Sequence, residues 1–296
     1  MSKRGWLLFA AMGVIWGIPY LLIRVAVADL SPVTLVLLRT GIGAVLLVPL
    51  AASRGALRPL LPYWRWILLY TAVEVALPWF FLADAERRLS SSLTGLLIAA
   101  VPSVGALLGW LTGGDDRPDL RRLGGLALGF LGVAALVGLD VAVRDLGAVG
   151  EVGLVALGYA TGPMIIARRL SGVPALGVVA ASLALPALVY LPLGLTHLPA
   201  TMPPVRVLAA MTMLGVVCTA LAFLLFFALI AEVGPSRATV ITYLNPAVAL
   251  ALGVALLGEP FTLGAAAGFV LIVLGSFLAT RRATSVATPA EATTIG

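Results

Sequence analysis

Two charged residues inside apolar stretches give the sharpest chemical signal in the sequence. Arg39 lies in the apolar run 33–52 and Glu74 lies in the run 64–83. A charge inside a bilayer costs about 2.5–3.5 kcal/mol on insertion scales, so each side chain should face the protein interior and have a partner. The sequence predicts that they pair with each other. Such a pair would either lock two helices together, bind the two ends of a zwitterionic substrate, or carry a proton on Glu74.

Aromatic and polar residues recur around these charges at helical spacing. Trp16, Pro19 and Tyr20 share one helical face, as do Tyr70, Glu74 and Pro78. Asn245 offers both a donor and an acceptor, so it would either bind a substrate carboxylate or amide, or join two helices. The predicted substrate-binding residues are Trp16, Pro19, Tyr20, Tyr70, Glu74, Pro78, Trp79, Tyr159, Pro163, Phe223 and Asn245.

Four prolines fall inside apolar runs, where each removes a backbone donor and kinks the helix. Pro19 lies in WGIPYLLIR (16–24) and Pro163 lies in ATGPMIIAR (160–168), 144 residues later and in the same local setting. Pro102 and Pro246 form a second pair with the same separation. Each proline is either a point where the helix flexes or only shapes the helix, since membrane helices tolerate proline well.

Residues for catalysis are scarce in the apolar runs. An intramembrane enzyme needs a nucleophile with a base, a metal cluster or a carboxylate pair. The runs contain two Glu, one Cys and no His, and Gly113–Asp116 falls where a run ends. We therefore expect no catalytic residue, no metal and no cofactor. A non-transporting scaffold is also disfavoured, because the loops are too short to dock a partner.

The composition identifies the elements that must position these residues. Hydrophobic residues make up 61% of the 296 and charged residues 11%, with a mean hydropathy of +1.11. A soluble domain is about 45–50% apolar and about 25% charged, so the chain is predicted to be an all-α integral membrane protein. The pI of about 10.1 would suggest nucleic acid for a soluble protein, but the basic residues lie between apolar runs. The expected partners are the bilayer and a small-molecule substrate, without nucleic acid, and the expected state is a monomer.

Ten apolar runs are long enough to cross a bilayer. Placing the N-terminus inside puts thirteen Lys and Arg residues inside and five outside, which favours cytoplasmic positions for both termini. The expected location is a bacterial-type inner membrane. The runs lie near 5–28, 33–52, 64–83, 90–112, 121–141, 147–167, 173–195, 206–231, 235–257 and 262–280.

A shift of 144 residues aligns the two halves of the chain. It places Pro19 on Pro163 and Pro102 on Pro246, and it also matches glycines, such as Gly109 with Gly253. Each half holds five runs, and because five is odd the halves enter the membrane from opposite sides, as in many secondary transporters. The predicted units are a first repeat at 1–145, an inverted second repeat at 146–282 and a disordered cytoplasmic tail at 283–296.

The halves resemble the two EamA-type repeats of the drug/metabolite transporter superfamily. The resemblance rests on WGIPYLLIR and on ITYLNPAVALALGVALLGEPFTLGAAAGFVLIVLGS (241–276), with a first-half counterpart that carries Val101 in place of Asn245 and Asp115 where Glu is usual. It implies ten helices around a central cavity and export of amino acids or other small metabolites by alternating access. Export of drugs and other amphipathic compounds is the alternative. Glu259, in the Gly-Glu-Pro element, is expected to cap the tenth helix.

Overall fold

Ten helices long and apolar enough to span a membrane make up the protein, within the residues that the structure describes. The computed structural model describes residues 1–112 and 120–280. The predicted tail 283–296, together with Asp115, Arg117, Arg281 and Arg282, lies outside them. The helices are α1 (Lys3–Ala26), α2 (Pro32–Ser53), α3 (Arg58–Ala85), α4 (Ser91–Leu111), α5 (Leu120–Asp140), α6 (Val143–Arg169), α7 (Ala175–Thr196), α8 (Val205–Val233), α9 (Val240–Leu257) and α10 (Leu263–Thr280). The prediction of ten spans is confirmed.

Three helices are interrupted, each just before a proline. α1 divides into Lys3–Ile15 and Ile18–Ala26, α4 into Ser91–Ile98 and Val101–Leu111, and α9 into a 3-10 segment Thr239–Tyr243 and an α-helix Asn245–Leu257. The second part of each helix has proline as its second residue, where a missing N–H leaves no gap in the hydrogen-bond ladder. The prolines are Pro19, Pro102 and Pro246.

Pro163 does not interrupt its helix, although the sequence places it in the same local setting as Pro19. The α-helix Leu146–Arg169 continues through it, and the proline side is exposed. At the corresponding place in α1, Gly17 lets α9 pack directly into the break, since a Cβ there would lie 3.0 Å from the Asn245 carbonyl oxygen. The residue of α6 that corresponds to Gly17 is Thr161, so the local sequence does not offer the same close approach there.

Two helices contain a π-helical segment, in which the hydrogen bonds run from residue i to i+5. In α3 the segment is Thr71–Ala76, and in α8 it is Met213–Leu221. A shift of 144 residues places the first segment at 215–220, inside the second. Single π-helical turns are frequent at functional sites, and Glu74 lies in the first of these two.

The helices pack in pairs that follow the repeat. The most extensive contacts join α5 to α10 and α2 to α7, while α4 packs on α9. Each pair joins equivalent helices of the two halves. Between them, α3 packs on α6 and α8 packs on α1, which are again equivalent contacts. The halves are therefore interleaved: α1 contacts α4, α8 and α9, and α6 contacts α3 and α4.

The two ends of the bundle differ in their predicted exposure to the cytoplasm. One end lies near residues 27–31, 86–90 and 258–262, where α1, α3 and α9 each give way to a loop. The basic-residue count predicts that these loops face outward. We call this end of the bundle the outer end.

Candidate functional site

Arg39 is a buried cation that touches three helices. Its side chain on α2 is 6% exposed. Nε donates to the Thr219 hydroxyl of α8 at 3.1 Å, and the guanidinium lies 3.7 Å from the centre of the Trp79 ring on α3. Stacking on an aromatic face suits a partly desolvated guanidinium. The two terminal nitrogens make no hydrogen bond to any described residue, so they are available to a ligand.

Glu74 does not pair with Arg39, so the predicted ion pair is wrong. The carboxylate points at α6, where a Cβ on Gly162 would lie 2.7 Å from its Cδ atom. Its Oε2 atom is sealed from solvent and has no hydrogen-bond partner among the described residues. The two side chains diverge because Arg39 turns toward Trp79 and α8, whereas the π-helical segment directs Glu74 toward α6.

Tyr159 and Tyr20 are two tyrosines that interact with these charges. Tyr159 on α6 interacts electrostatically with both Arg39 and Glu74, and its hydroxyl neighbours Trp79. Tyr20 on α1 is buried and interacts with Arg39 and Tyr159. We call Tyr20, Arg39, Glu74, Trp79 and Tyr159 the central cluster. All five were singled out from the sequence, and four helices contribute to it.

An aromatic group closes the space between α1 and α8. The Trp16 ring centroid lies 5.9 Å from that of Phe223 in an edge-to-face arrangement and 4.7 Å from that of Phe226. Phe223 also lies 6.4 Å from Phe227 and packs against the apolar residues around Trp79. Trp16 and Phe223, both predicted to bind substrate, thus lie together beside the central cluster.

Four other predicted residues have different surroundings. Pro78 is buried against α6, where a Cβ on Gly158 would lie 2.9 Å from its Cγ atom. Tyr70 packs among apolar residues such as Ile67 and Ile165, and it reaches Glu74 only by electrostatic interaction. Pro19 is buried at the break in α1, whereas Pro163 is exposed on α6. The structure therefore places Tyr70 and Pro163 apart from the central cluster.

Asn245 joins two interrupted helices. In the amide orientation that satisfies its neighbours, Nδ2 donates to the Ile241 carbonyl at 3.0 Å and to the Gly13 carbonyl at 3.1 Å. The Gly13 carbonyl lies in the turn where α1 breaks, because Gly17 N–H donates to Val14 instead. These bonds favour the helix-joining interpretation of Asn245 over direct substrate binding.

Two carboxylates at the outer end have roles that sequence reasoning missed. Glu259 accepts hydrogen bonds from the backbone N–H groups of Ser91 and Ser92, each at 2.8 Å, so it caps α4 and not α10 as expected. The first turn of α10 is capped by Thr262 instead. Glu86, one residue beyond α3, is fully buried, and neither of its carboxylate oxygens has a hydrogen-bond partner among the described residues. In the sequence it looks like part of a charged surface turn, so no local signal reveals its burial.

Comparisons with known proteins agree with this architecture. The sequence model of the EamA-like transporter family matches residues 3–138 and 152–281, once in each half. The uncharacterized transporter YvbV of Bacillus subtilis (strain 168) is 26% identical over 276 residues, which cover 92% of this chain and 90% of that protein. A crystal structure with 21% identity superposes with a TM-score of 0.67 over 95% of this chain and 98% of its own, which shows the shared fold. The chain therefore belongs to the EamA-like transporter family and is a multi-pass membrane transporter of the drug/metabolite transporter superfamily.

Proposed function

We propose that this transporter exports small zwitterionic metabolites, with amino acids as the principal class, by alternating access around the central cluster. The observation that carries the proposal is the separation of two opposite charges. Arg39 and Glu74 each lie inside the helix bundle, and neither forms an ion pair with a described residue. Arg39 would bind the substrate carboxylate, and Glu74 would bind its ammonium group.

A zwitterion is the ligand that balances both charges in one step. A charge buried without a partner is unfavourable, and hydrogen bonds to charged groups contribute about 1.5–3 kcal/mol each. The free terminal nitrogens of Arg39 present the fork geometry that suits a carboxylate. Tyr159, which interacts electrostatically with both charged residues, would contact the middle of the substrate. A ligand with only one of the two charges would leave the other residue unpaired.

The interrupted helices support alternating access as the mechanism. In inverted-repeat transporters, discontinuous helices surround a site near the bilayer midplane, and one helix group rocks against the other. Here α1, α4 and α9 are interrupted and belong to both halves. We propose the bacterial inner membrane as the location and a monomer as the working unit.

The test is a substrate panel in proteoliposomes, with and without a pH gradient. The panel pairs each amino acid with its carboxyl amide and with its N-acetyl derivative. Arg39→Gln should lose most of the preference for the amino acid over its amide, and Glu74→Gln should lose the preference over the N-acetyl form. Arg206→Gln, which removes an exposed arginine bonded to Asp29 at 3.4 Å, is the matched control. Unchanged preferences in both variants would refute the zwitterion site.

The aromatic group favours a second candidate, export of amphipathic compounds. Trp16, Phe223 and Phe226 offer ring faces to a flat or cationic ligand beside the central cluster. For this candidate, Trp16→Ala should reduce efflux of a lipophilic aromatic cation. Wild-type protein that moves such a cation and no amino acid of the panel would establish this alternative.

A further inference from the structure

Glu86 is a buried carboxylate that the proposed transport site does not use. It follows α3 directly at the outer end, and its side chain is 0% exposed. Arg24 of α1 donates to the backbone carbonyl oxygen of Glu86, not to its carboxylate. Both carboxylate oxygens are sealed from solvent, and neither has a hydrogen-bond partner among the described residues.

The charged and titratable groups around Glu86 come from every neighbouring element. Tyr20 and Arg24 face it from α1, Arg39 from α2, Tyr159 from α6 and Glu259 from the loop between α9 and α10. Neither arginine forms an ion pair with the carboxylate. The surroundings thus supply one like charge and two cations that stay out of direct contact.

Glu86 and Glu259 form a pair of neighbouring carboxylates with unequal environments. Each oxygen of Glu259 accepts a backbone N–H at the N-terminus of α4. Glu86 accepts no hydrogen bond from a described residue on either carboxylate oxygen, so nothing offsets the cost of burying its negative charge. Burial, reinforced by the negative charge of Glu259, raises the pKa of Glu86 well above its usual range.

The position of this pair links protonation to conformation. Glu86 belongs to the first half of the chain and Glu259 to the second, so separation of the halves at the outer end would expose Glu86 to water. We propose that Glu86 binds a proton from the outer side and that this proton holds the outer end closed. The proposal goes beyond substrate recognition, because it requires no substrate.

The proposal also fixes how closing depends on pH. When the outer end opens, Glu86 becomes an exposed carboxyl, which is ionised at neutral pH, so closing takes up one proton. The ratio of closed to open protein should therefore rise by up to about tenfold for each unit by which the pH is lowered, in the range between the pKa of Glu86 in the open protein and its pKa in the closed protein.

The experiment measures accessibility at the outer end without any flux. In a Cys218→Ser background, Ala26→Cys places a thiol at a site that is 0% exposed near the outer end of α1. Met202→Cys, at a position that is 83% exposed in the loop between α7 and α8, reports the pH dependence of the thiol reaction itself. Intact cells are treated with a membrane-impermeant maleimide at pH 5 to 8. The ratio of the Ala26→Cys rate to the Met202→Cys rate should fall as the pH is lowered.

Three carboxylate variants decide the assignment. Glu86→Gln copies the neutral acid, so the ratio should stay low at every pH. Glu259→Gln removes the neighbouring charge, so the profile should move to lower pH. Glu151→Gln is the matched control, because Glu151 also lies at the outer end but is bonded to Arg88, and it should keep the wild-type profile.

Several results would overturn the proposal. They are a flat wild-type ratio, a wild-type profile in Glu86→Gln, and an unshifted profile in Glu259→Gln. Sodium is the competing ligand, because the unpartnered hydroxyl oxygens of Ser91 and Ser92 lie beside the Glu259 carboxylate. If the ratio of the two thiol reaction rates changed with sodium concentration at constant pH, the ligand that holds the outer end closed would be sodium and not a proton. None of these accessibility measurements uses a substrate. A negative result would therefore overturn the role of Glu86 without bearing on the zwitterion site, which the substrate panel tests separately.

Discussion

Replacing Asn245 by valine separates the joining of helices from substrate binding. Valine is the residue that occupies the equivalent place, Val101, in the first half. The change removes two hydrogen bonds, to the Ile241 carbonyl at 3.0 Å and to the Gly13 carbonyl at 3.1 Å. Net values of about 0.5–1.5 kcal/mol for each bond predict a loss of about 1–3 kcal/mol in the free energy of unfolding. Measured couplings between membrane helices average about 0.6 kcal/mol, which favours the lower part of that range.

The assay is reversible unfolding in mixed micelles, combined with substrate affinity in the same preparation. Tyr243→Phe is the matched control, since it removes one exposed bond to the Thr280 hydroxyl at 3.0 Å from the same span. That variant should lose less than about 1 kcal/mol, because an exposed bond is readily replaced by water. If Asn245→Val weakens substrate affinity while its free energy of unfolding stays at the wild-type value, the helix-joining interpretation is refuted.

Three further predictions concern the transport site. Thr219→Val removes the hydrogen bond to Arg39 and should raise the KM for an amino acid about tenfold or more, from the 1.5–3 kcal/mol typical of a charged bond; an unchanged KM would contradict this. Glu74→Gln should raise the KM for an amino acid but not for its N-acetyl derivative, because Glu74 would bind the ammonium group, and an unchanged KM for the amino acid would contradict that role. Pro19→Ala should slow flux while Pro163→Ala should not, because only Pro19 is buried at a helix break. Equal effects of the two substitutions on the initial rate of transport would show that burial of the proline does not determine its effect on flux.

The features that the sequence predicted are local ones. The spans follow from runs of apolar residues, because each helix needs only its own length to cross the bilayer. The breaks before Pro102 and Pro246 follow from the missing N–H of proline. The central cluster was predicted in part for the same reason, since a charge such as Arg39 within an apolar run must face the interior.

The features that escaped prediction depend on distant segments. The Arg39–Glu74 pairing fails because the direction of Glu74 is set by a π-helical segment and by the space above Gly162 on α6. α6 continues through Pro163, whereas α1 breaks beside Pro19, where Gly17 lets α9 approach closely. Glu86 is buried by elements from both halves, so neither its immediate neighbours nor their spacing indicated it.

The cap on α4 has a consequence for the order in which the protein is made. Glu259 follows Ser91 by 168 residues in the chain. At the usual synthesis rate of about 5–20 residues per second, the carboxylate emerges roughly 8–30 seconds after the helix that it caps. Through that interval, the outer end of α4 must satisfy its first backbone N–H groups with water, lipid headgroups or the insertion machinery. Completion of this helix is therefore among the last events of biogenesis, and a nascent chain that stops before the α9–α10 loop lacks it.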